Sequence, residues 1–371
     1  MLLGQPRLLK NLNTDIVRDL IYKSGPISKP EIAEQTALSL PTVTKRVNIL
    51  LKEGWIRETG RSGEGVGRKA VKYEADRSHN TILLLYESGG FSAALVDLTG
   101  EIRYEKRYVY HKEYEQNHLD FLCECIKELI AKVEGTVLSI GITVPGVVRS
   151  SGLIKHIPEI PEWEKYNLQE ELQKRFGIDV FVENDTRMMT LGYYESKLQG
   201  QYSDMVYIYA EDALSAGIII DGRLHRGKDS FSGELGFLIF HDDLNSSHEP
   251  INGRGDYENC VMELQKEIQM NPGSKKLLEK YYDLIAKGIV SVGCITAPEI
   301  VVIQGKYIDK AALEIIEERI RPYFPKDVLP RLQINTDSTC CAQGMIQECV
   351  RHSIEKSAKL GNVTIRVNPN D

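Results

Sequence analysis

Pro41, Thr42, Lys45, Arg46 and Asn48, following a candidate cap at Ser39, read as one face of a short helix. These hydroxyl, amide and cationic groups suit hydrogen bonding to base edges and phosphates in a major groove. A second cationic set, Arg61, Arg68 and Lys69, tips the glycine-rich stretch from Gly60 to Lys69. The two sets point to nucleic-acid recognition. The presenting helix needs an inward stripe, and Val43, Val47, Leu50 and Leu51 supply one before Gly54 ends it. Two helices precede it. The first is expected to open at Asn13, bury Ile16, Val17, Leu20 and Ile21, and stop at Gly25. The second opens with Ser28-Lys29-Pro30-Glu31, a capping box, and turns Ile32 and Ala33 inward. Trp55–Glu58 and Ala70–Tyr73 read as strands on either side of the glycine-rich loop. Residues 1–75 thus predict a winged helix-turn-helix; a plain helical cap with a basic hairpin leaves this turn length and Gly/Arg wing unexplained.

Charge agrees. Residues 1–75 hold 13 Lys and Arg against 8 Asp and Glu, a net of +5, so the remainder carries −12 to reach the overall −7. A basic module on an acidic body is the asymmetry expected when one domain meets phosphate. The 371 residues allow two or three domains, and 42% hydrophobic with 27% charged residues is ordinary for a soluble globular protein. Neither a spanning apolar run nor a signal-peptide pattern is present, so no membrane partner is expected. Seven cysteines without framework spacing predict a reducing, cytoplasmic setting. Cys123, Cys125, Cys340 and Cys341 lie in helical patterns and read as core positions.

Beyond a polar link at Glu74–Asn80, strands are expected at Thr81–Tyr86, Ser92–Leu98 and Glu101–Tyr110, then a helix about Tyr114–Val133 and a strand Val137–Val144. Helix Leu168–Phe176, strand Asp179–Val182 and helix Thr186–Leu198 follow. This β-β-β-α-β-α order is the unit of the actin/hexokinase-type fold. It begins again with strands Met205–Tyr209, Ser215–Ile220 and Leu235–Phe240, and helices about Asp256–Gln269 and Lys275–Gly288. Strand Ile300–Ile303, helix Lys310–Tyr323 and helix Thr339–Ser357 complete it. The expected fold is α/β: a winged helix-turn-helix over 1–75, a first lobe over 81–185 completed by the helix 339–357, and a second lobe over 186–338. Two such units leave a cleft between them, the usual place for a ligand.

From Gly141-Ile142-Thr143-Val144-Pro145-Gly146 the chain resembles the ROK family of repressors, open reading frames and kinases. The likeness continues through Pro158–Trp163, Val182-Glu183-Asn184-Asp185, Asp221–Gly227 and Ser232-Gly233-Glu234-Leu235-Gly236. The wing's Gly67-Arg68-Lys69 is similar to the turn of ROK repressors such as those for xylose and N-acetylglucosamine. The resemblance implies that Asp185 stands where kinases hold the base for a sugar hydroxyl, with Asn184 bonding a neighbouring hydroxyl. A carboxylate and an amide at a strand end suit that chemistry; Asp185 would equally suit capping the next helix. Glu234 matches a second sugar-contacting carboxylate, Glu258 a third, and Glu159 stands where an Asn usually meets the ligand.

Three departures argue against ATP. Tyr86-Glu87-Ser88-Gly89-Gly90-Phe91 lacks the Asp and Thr of the first phosphate loop. Ala210-Glu211-Asp212-Ala213-Leu214-Ser215 puts two carboxylates in the second, and Gln304-Gly305-Lys306 replaces the glycines near the base. The family's zinc set is missing too, since Phe237 takes the His position and Glu249–Glu258 holds no Cys. Neither cofactor nor metal is therefore expected, nor a catalytic residue. The resemblance implies a transcriptional repressor of carbohydrate metabolism, acting as a homodimer or dimer of dimers on double-stranded operator DNA and controlled by a sugar or sugar derivative. The alternatives are a DNA-binding protein whose ROK domain is only a dimerisation scaffold, and a sugar kinase.

Overall fold

The computed structural model describes residues 6–62, 70–87, 90–109, 118–157, 160–198, 200–240 and 254–360. Helix α1 (Pro6–Ser24) leads into strand β1 (Ile27–Ser28) and helices α2 (Lys29–Thr36) and α3 (Leu40–Lys52). The α1 start corrects the expected cap at Asn13: the helix begins at Pro6, a residue suited to a first turn where no N–H is needed. Ser28 caps α2 as expected, its N–H and hydroxyl donating to Glu31 Oε2 at 2.7 and 2.6 Å. Ser39 accepts from the Thr42 N–H and caps α3. Val43, Val47 and Leu50 are buried against Val17, Ile21 and Ile32. Strands β2 (Ile56–Ser62) and β3 (Ala70–Ala75) form the wing, and β3 pairs with β1 on its other side.

The body contains two sheets of one topology. Strands β4 (His79–Glu87), β5 (Gly90–Asp97) and β6 (Ile102–Val109) form a meander. Helix α4 (His118–Ile130) leads to β7 (Thr136–Val144), followed by the small pair β8 (Val147–Val148) and β9 (Ile154–His156). Helix α5 (Leu168–Phe176) and β10 (Asp179–Asn184) complete a sheet of order β10-β7-β4-β5-β6, parallel on the β10 side and antiparallel on the β6 side. Helix α6 (Asp185–Tyr193) follows and ends in a π-helical turn, Tyr194–Leu198. Strands β11 (Met205–Ala210), β12 (Leu214–Ile220) and β13 (Arg223–Leu224) begin the second sheet. Helices α7 (Asp256–Met270) and α8 (Lys275–Thr296) precede β14 (Ile300–Gly305), α9 (Lys310–Ile320) and β15 (Arg331–Ile334). The order β15-β14-β11-β12-β13 repeats that of the first sheet. Leu235–Phe240 is not the strand the sequence predicts. Gly233 at φ +95° turns the chain, and Leu235–Phe237 forms a short 3₁₀ turn.

Helix α10 (Cys340–Leu360) packs on β7 and β4, and α6 packs on β12. The two helices cross closely because glycine stands at the contact on each: a Cβ on Gly192 would lie 1.9 Å from the Cys340 carbonyl oxygen, and one on Gly344 2.0 Å from that of Met188. The sheets therefore meet across this helix pair. The winged module joins the body through Asp76 N–H to the Trp55 carbonyl (3.1 Å) and His79 to the Gly54 carbonyl (2.9 Å). Trp55, Leu83, Leu85, Met345 and Cys349 belong to one continuous buried cluster.

Candidate functional site

On the outer face of α3, Ser39, Leu40, Pro41, Lys45, Asn48 and Lys52 are exposed and Thr42 is half-buried. Arg46 is not on that face. It is 8% exposed, its Nη1 reaches Thr14 Oγ1 at 3.5 Å, and its Nε is buried without a hydrogen-bond partner. Position 46 falls three residues after Val43 and four before Leu50, on the inward stripe, so helical periodicity overrides the expectation that this cation faces DNA. Arg68 and Lys69 lie outside the described residues, as does the Arg61 side chain.

The second site forms where β10 runs into α6. Asn184 is the α6 cap: Oδ1 accepts from the Arg187 N–H at 2.9 Å, and Nδ2 donates to the Gly146 carbonyl (3.2 Å) and Asp185 Oδ1 (3.0 Å). This corrects the idea that Asp185 is the cap; Asp185 is the first residue of the helix and accepts from the Thr186 N–H at 2.6 Å. Both ends of the Asn184 amide are engaged with protein, which makes it a residue that positions Asp185. From the second sheet's side come Glu234 and Glu258. Glu258 accepts from the Leu214 N–H at 3.4 Å and lies against Gly236, whose missing side chain leaves the space. Desolvation pushes the Glu234 carboxyl up to about 7; Arg187 opposes the shift, while Asp185 and Glu258 add to it. The structure thus brings Asp185, Glu234 and Glu258 into one electrostatic neighbourhood. Glu159 lies outside the described residues.

Sequence reading missed the cations that hold this neighbourhood together. Arg187 is 2% exposed, donates to the Val148 carbonyl at 3.4 Å, lies 3.5 Å from Glu183 and leaves Nη2 without a hydrogen-bond partner. Arg226, in the segment after β13, pairs with Glu183 of β10 at 3.1 Å and Glu348 of α10 at 2.9 Å. Arg149 after β8 pairs with Asp229 at 3.2 Å. The loop from Arg226 to Glu234 is therefore tied to the first sheet's side by three ion pairs. Within it Asp229 and Ser230 hold left-handed φ of 53° and 60°, an unusual conformation for residues with side chains. Only the Glu183–Arg187 pair had a sequence signal, the i,i+4 spacing of opposite charges.

The segments Ala210–Asp212 and Gln304–Lys306 bind each other. Gln304 Nε2 donates to Glu211 at 3.2 Å and Lys306 Nζ to Asp212 at 2.5 Å. Lys306 N–H also donates to the Ala210 carbonyl at 3.1 Å. Phe237 packs between Phe231 (ring centroids 5.7 Å) and His156 (6.5 Å), and Cys260 lies half-buried on α7. One thiol and a phenyl ring do not fit a thiolate-and-imidazole zinc set.

Two family models match the chain. One, "ROK family", covers residues 88–263; the other, "Winged helix-turn-helix DNA-binding", covers residues 19–57. The chain is 27% identical to a "Xylose repressor" of Bacillus spizizenii over 75% of its length and 72% of that protein's. It is 30% identical to a "Xylose repressor" of Caldicellulosiruptor bescii, over 65% of this chain and 62% of that one. The match to the "DNA-binding transcriptional dual regulator NagC" of Escherichia coli is 29% identical and covers 64% and 59%. The last two alignments span less than two thirds of their relatives. Among solved structures, a ROK family transcriptional regulator described as a homologue of the E. coli MLC protein superposes with a TM-score of 0.74 at 22% identity, over 95% of this chain and 100% of its own. A ROK hexokinase from Thermus thermophilus gives 0.59 at 17% identity, over 74% and 99%. These two likenesses establish the fold.

Proposed function

We propose, from the match of the ROK family model to residues 88–263 and of the winged helix-turn-helix model to residues 19–57, a DNA-binding repressor of carbohydrate-utilisation genes whose operator affinity a sugar-like ligand controls. The observation that carries this reading is selective retention. Asp185 and Glu258 act electrostatically on Glu234, while Glu211 and Asp212, which the resemblance sets where a kinase would cradle phosphate, are held by Gln304 and Lys306. Carboxylates converging in a poorly solvated place repel one another unless hydroxyls, water or a cation lie between them. A polyol supplies such hydroxyls. Phosphoryl transfer needs backbone N–H groups cradling the phosphates, and here carboxylates would repel them. The protein is a regulator, and the kinase alternative fails on this chemistry.

In this reading Asp185 accepts a hydrogen bond from a ligand hydroxyl, oriented by Asn184. Glu234 and Glu258 contact the ligand from the opposite side. Ser39, Pro41, Thr42 and Lys45 face DNA, joined by the wing cations Arg61, Arg68 and Lys69. We place the boundaries at residues 75, 81, 185 and 338, with 339–357 returning to the first lobe, and read the active form as a dimer. The test is a thermal-shift screen of sugars, amino sugars and their phosphates, followed by operator binding with and without any hit. A ligand at ~100 times its dissociation constant stabilises by roughly 2.7 kcal/mol. The scaffold-only reading takes over if no sugar shifts the melt while operator binding persists.

A further inference from the structure

Leu40 is the first residue of α3 and is 48% exposed, beside Pro41, at a place where a solvated helix would carry a polar group. A shallow recess on this face is lined by Leu40, Pro41, Thr44 and Ile49 and by the stems of Lys45 and Lys52. Leu40, Thr44 and Asn48 follow one another at four-residue steps, one helical turn apart on the same surface. Lys29 of α2 donates to Asn48 Oδ1 at 3.2 Å and fixes the amide at the recess edge. The rim is cationic, from Lys29, Lys45 and Lys52, and its charge complements a phosphate backbone. The α3 guanidinium that could fork onto a guanine, that of Arg46, is turned inward.

We propose that Leu40, Pro41 and the Thr44 methyl form an apolar seat for thymine C5-methyl groups, with Asn48 reading an adjacent adenine, so that each operator half-site presents consecutive A·T pairs to α3. The inference rests on the reading of α3 as the helix that enters the major groove. The C5-methyl is the one apolar group on a base edge there, and adenine's N6 and N7 match the donor and acceptor of a side-chain amide. Asn48 Oδ1 retains a lone pair beyond the one held by Lys29.

The experiment begins with the full-length protein selecting its operator from a random duplex library. Each thymine of the selected half-site is then replaced singly by deoxyuridine, which removes only the methyl group. Wild type is expected to lose roughly fourfold in affinity at the seat positions. Leu40→Ala should bind more weakly overall and be indifferent to the same replacement. Asn48→Ala should lose preference at the adenine position while retaining the wild-type response to deoxyuridine. Leu40 is exposed, so its truncation leaves the fold intact, which a melting curve checks. Deoxyuridine tolerated at every position, or an equal penalty in Leu40→Ala and wild type, would overturn the inference. Failure to enrich any sequence would instead sink the major-groove reading beneath it.

Discussion

Glu234 carries the most informative charge in the cleft. Its carboxyl titrates near 7 in the fold, pushed up first by desolvation, against roughly 4.3 in an unfolded chain. The folded state therefore binds this proton more tightly between about pH 4.5 and 7. Stability falls as pH rises through that window and levels off above it. Glu234→Gln removes the effect, so its melting temperature should gain on wild type from pH 5 to pH 8, by the equivalent of about 1–3 kcal/mol. A difference that is flat with pH would show that Glu234 ionises freely. Asp185 makes the other residue-scale case. A charge-assisted bond contributes roughly 1.5–3 kcal/mol, so Asp185→Ala should weaken effector binding about tenfold or more while operator affinity stays. If Asp185→Ala responds to effector like wild type, the side chain serves only the first turn of α6. Arg46 belongs with the core: Arg46→Met should leave operator preference unchanged, whereas Lys45→Ala should weaken all sequences together and lower the salt slope.

Two helices, α6 and α10, join the surroundings of Asp185 to the rest of the molecule. Asn184 and Asp185 begin α6, which ends in the π-helical turn Tyr194–Leu198. Within that turn Glu195 is raised by desolvation, with the Asp19 carboxylate of α1 adding to the shift. One element thus runs from Asp185 to the edge of the winged module, and α10 packs against it. Gly192 and Gly344 set the distance between the two helices, so Gly344→Ala must push them apart. Overpacking of this kind costs typically 1–3 kcal/mol. The variant should melt at lower temperature, while a surface control in the same helix, Gln347→Ala, should not. Equal stability of Gly344→Ala and wild type in urea titration would mean that the crossing has slack.

At the scale of the molecule, Arg226 is the tie that matters. It joins the loop bearing Glu234 to Glu183 on β10 and Glu348 on α10. Breaking a buried pair leaves charges uncompensated, so Arg226→Met should lose stability and, where folded, bind operator without responding to effector. Retention of a normal effector response would place the coupling elsewhere. A dimer of this 41.9 kDa chain should scatter light as twice that mass and protect two half-sites, about 10 base pairs apart centre to centre or a multiple of that. A monomeric mass at operator-binding concentrations would overturn the dimer.

Local physics carried the reading of the sequence a long way. Capping at Ser28 and Ser39, the inward stripe of α3 and the first β-meander follow from near-neighbour rules, and these elements stand where the sequence predicts them. Asp185, Glu234 and Glu258 were legible as chemistry, because motifs keep residue types in order along the chain. Their grouping was implied by the family resemblance alone, and the ion pairs of Arg226 were not legible at all, since Glu183, Arg226 and Glu348 lie far apart in sequence and only the stacking of two sheets across α6 and α10 brings them together. The same limit explains Arg46, whose charge suggests DNA and whose helical phase places it against α1. It also explains Leu235–Phe240, where apolar residues suggest a strand until Gly233 turns the backbone. Short-range preferences determine which elements form; burial, crossing distance and long-range ion pairing decide which side chains meet, and those belong to tertiary structure.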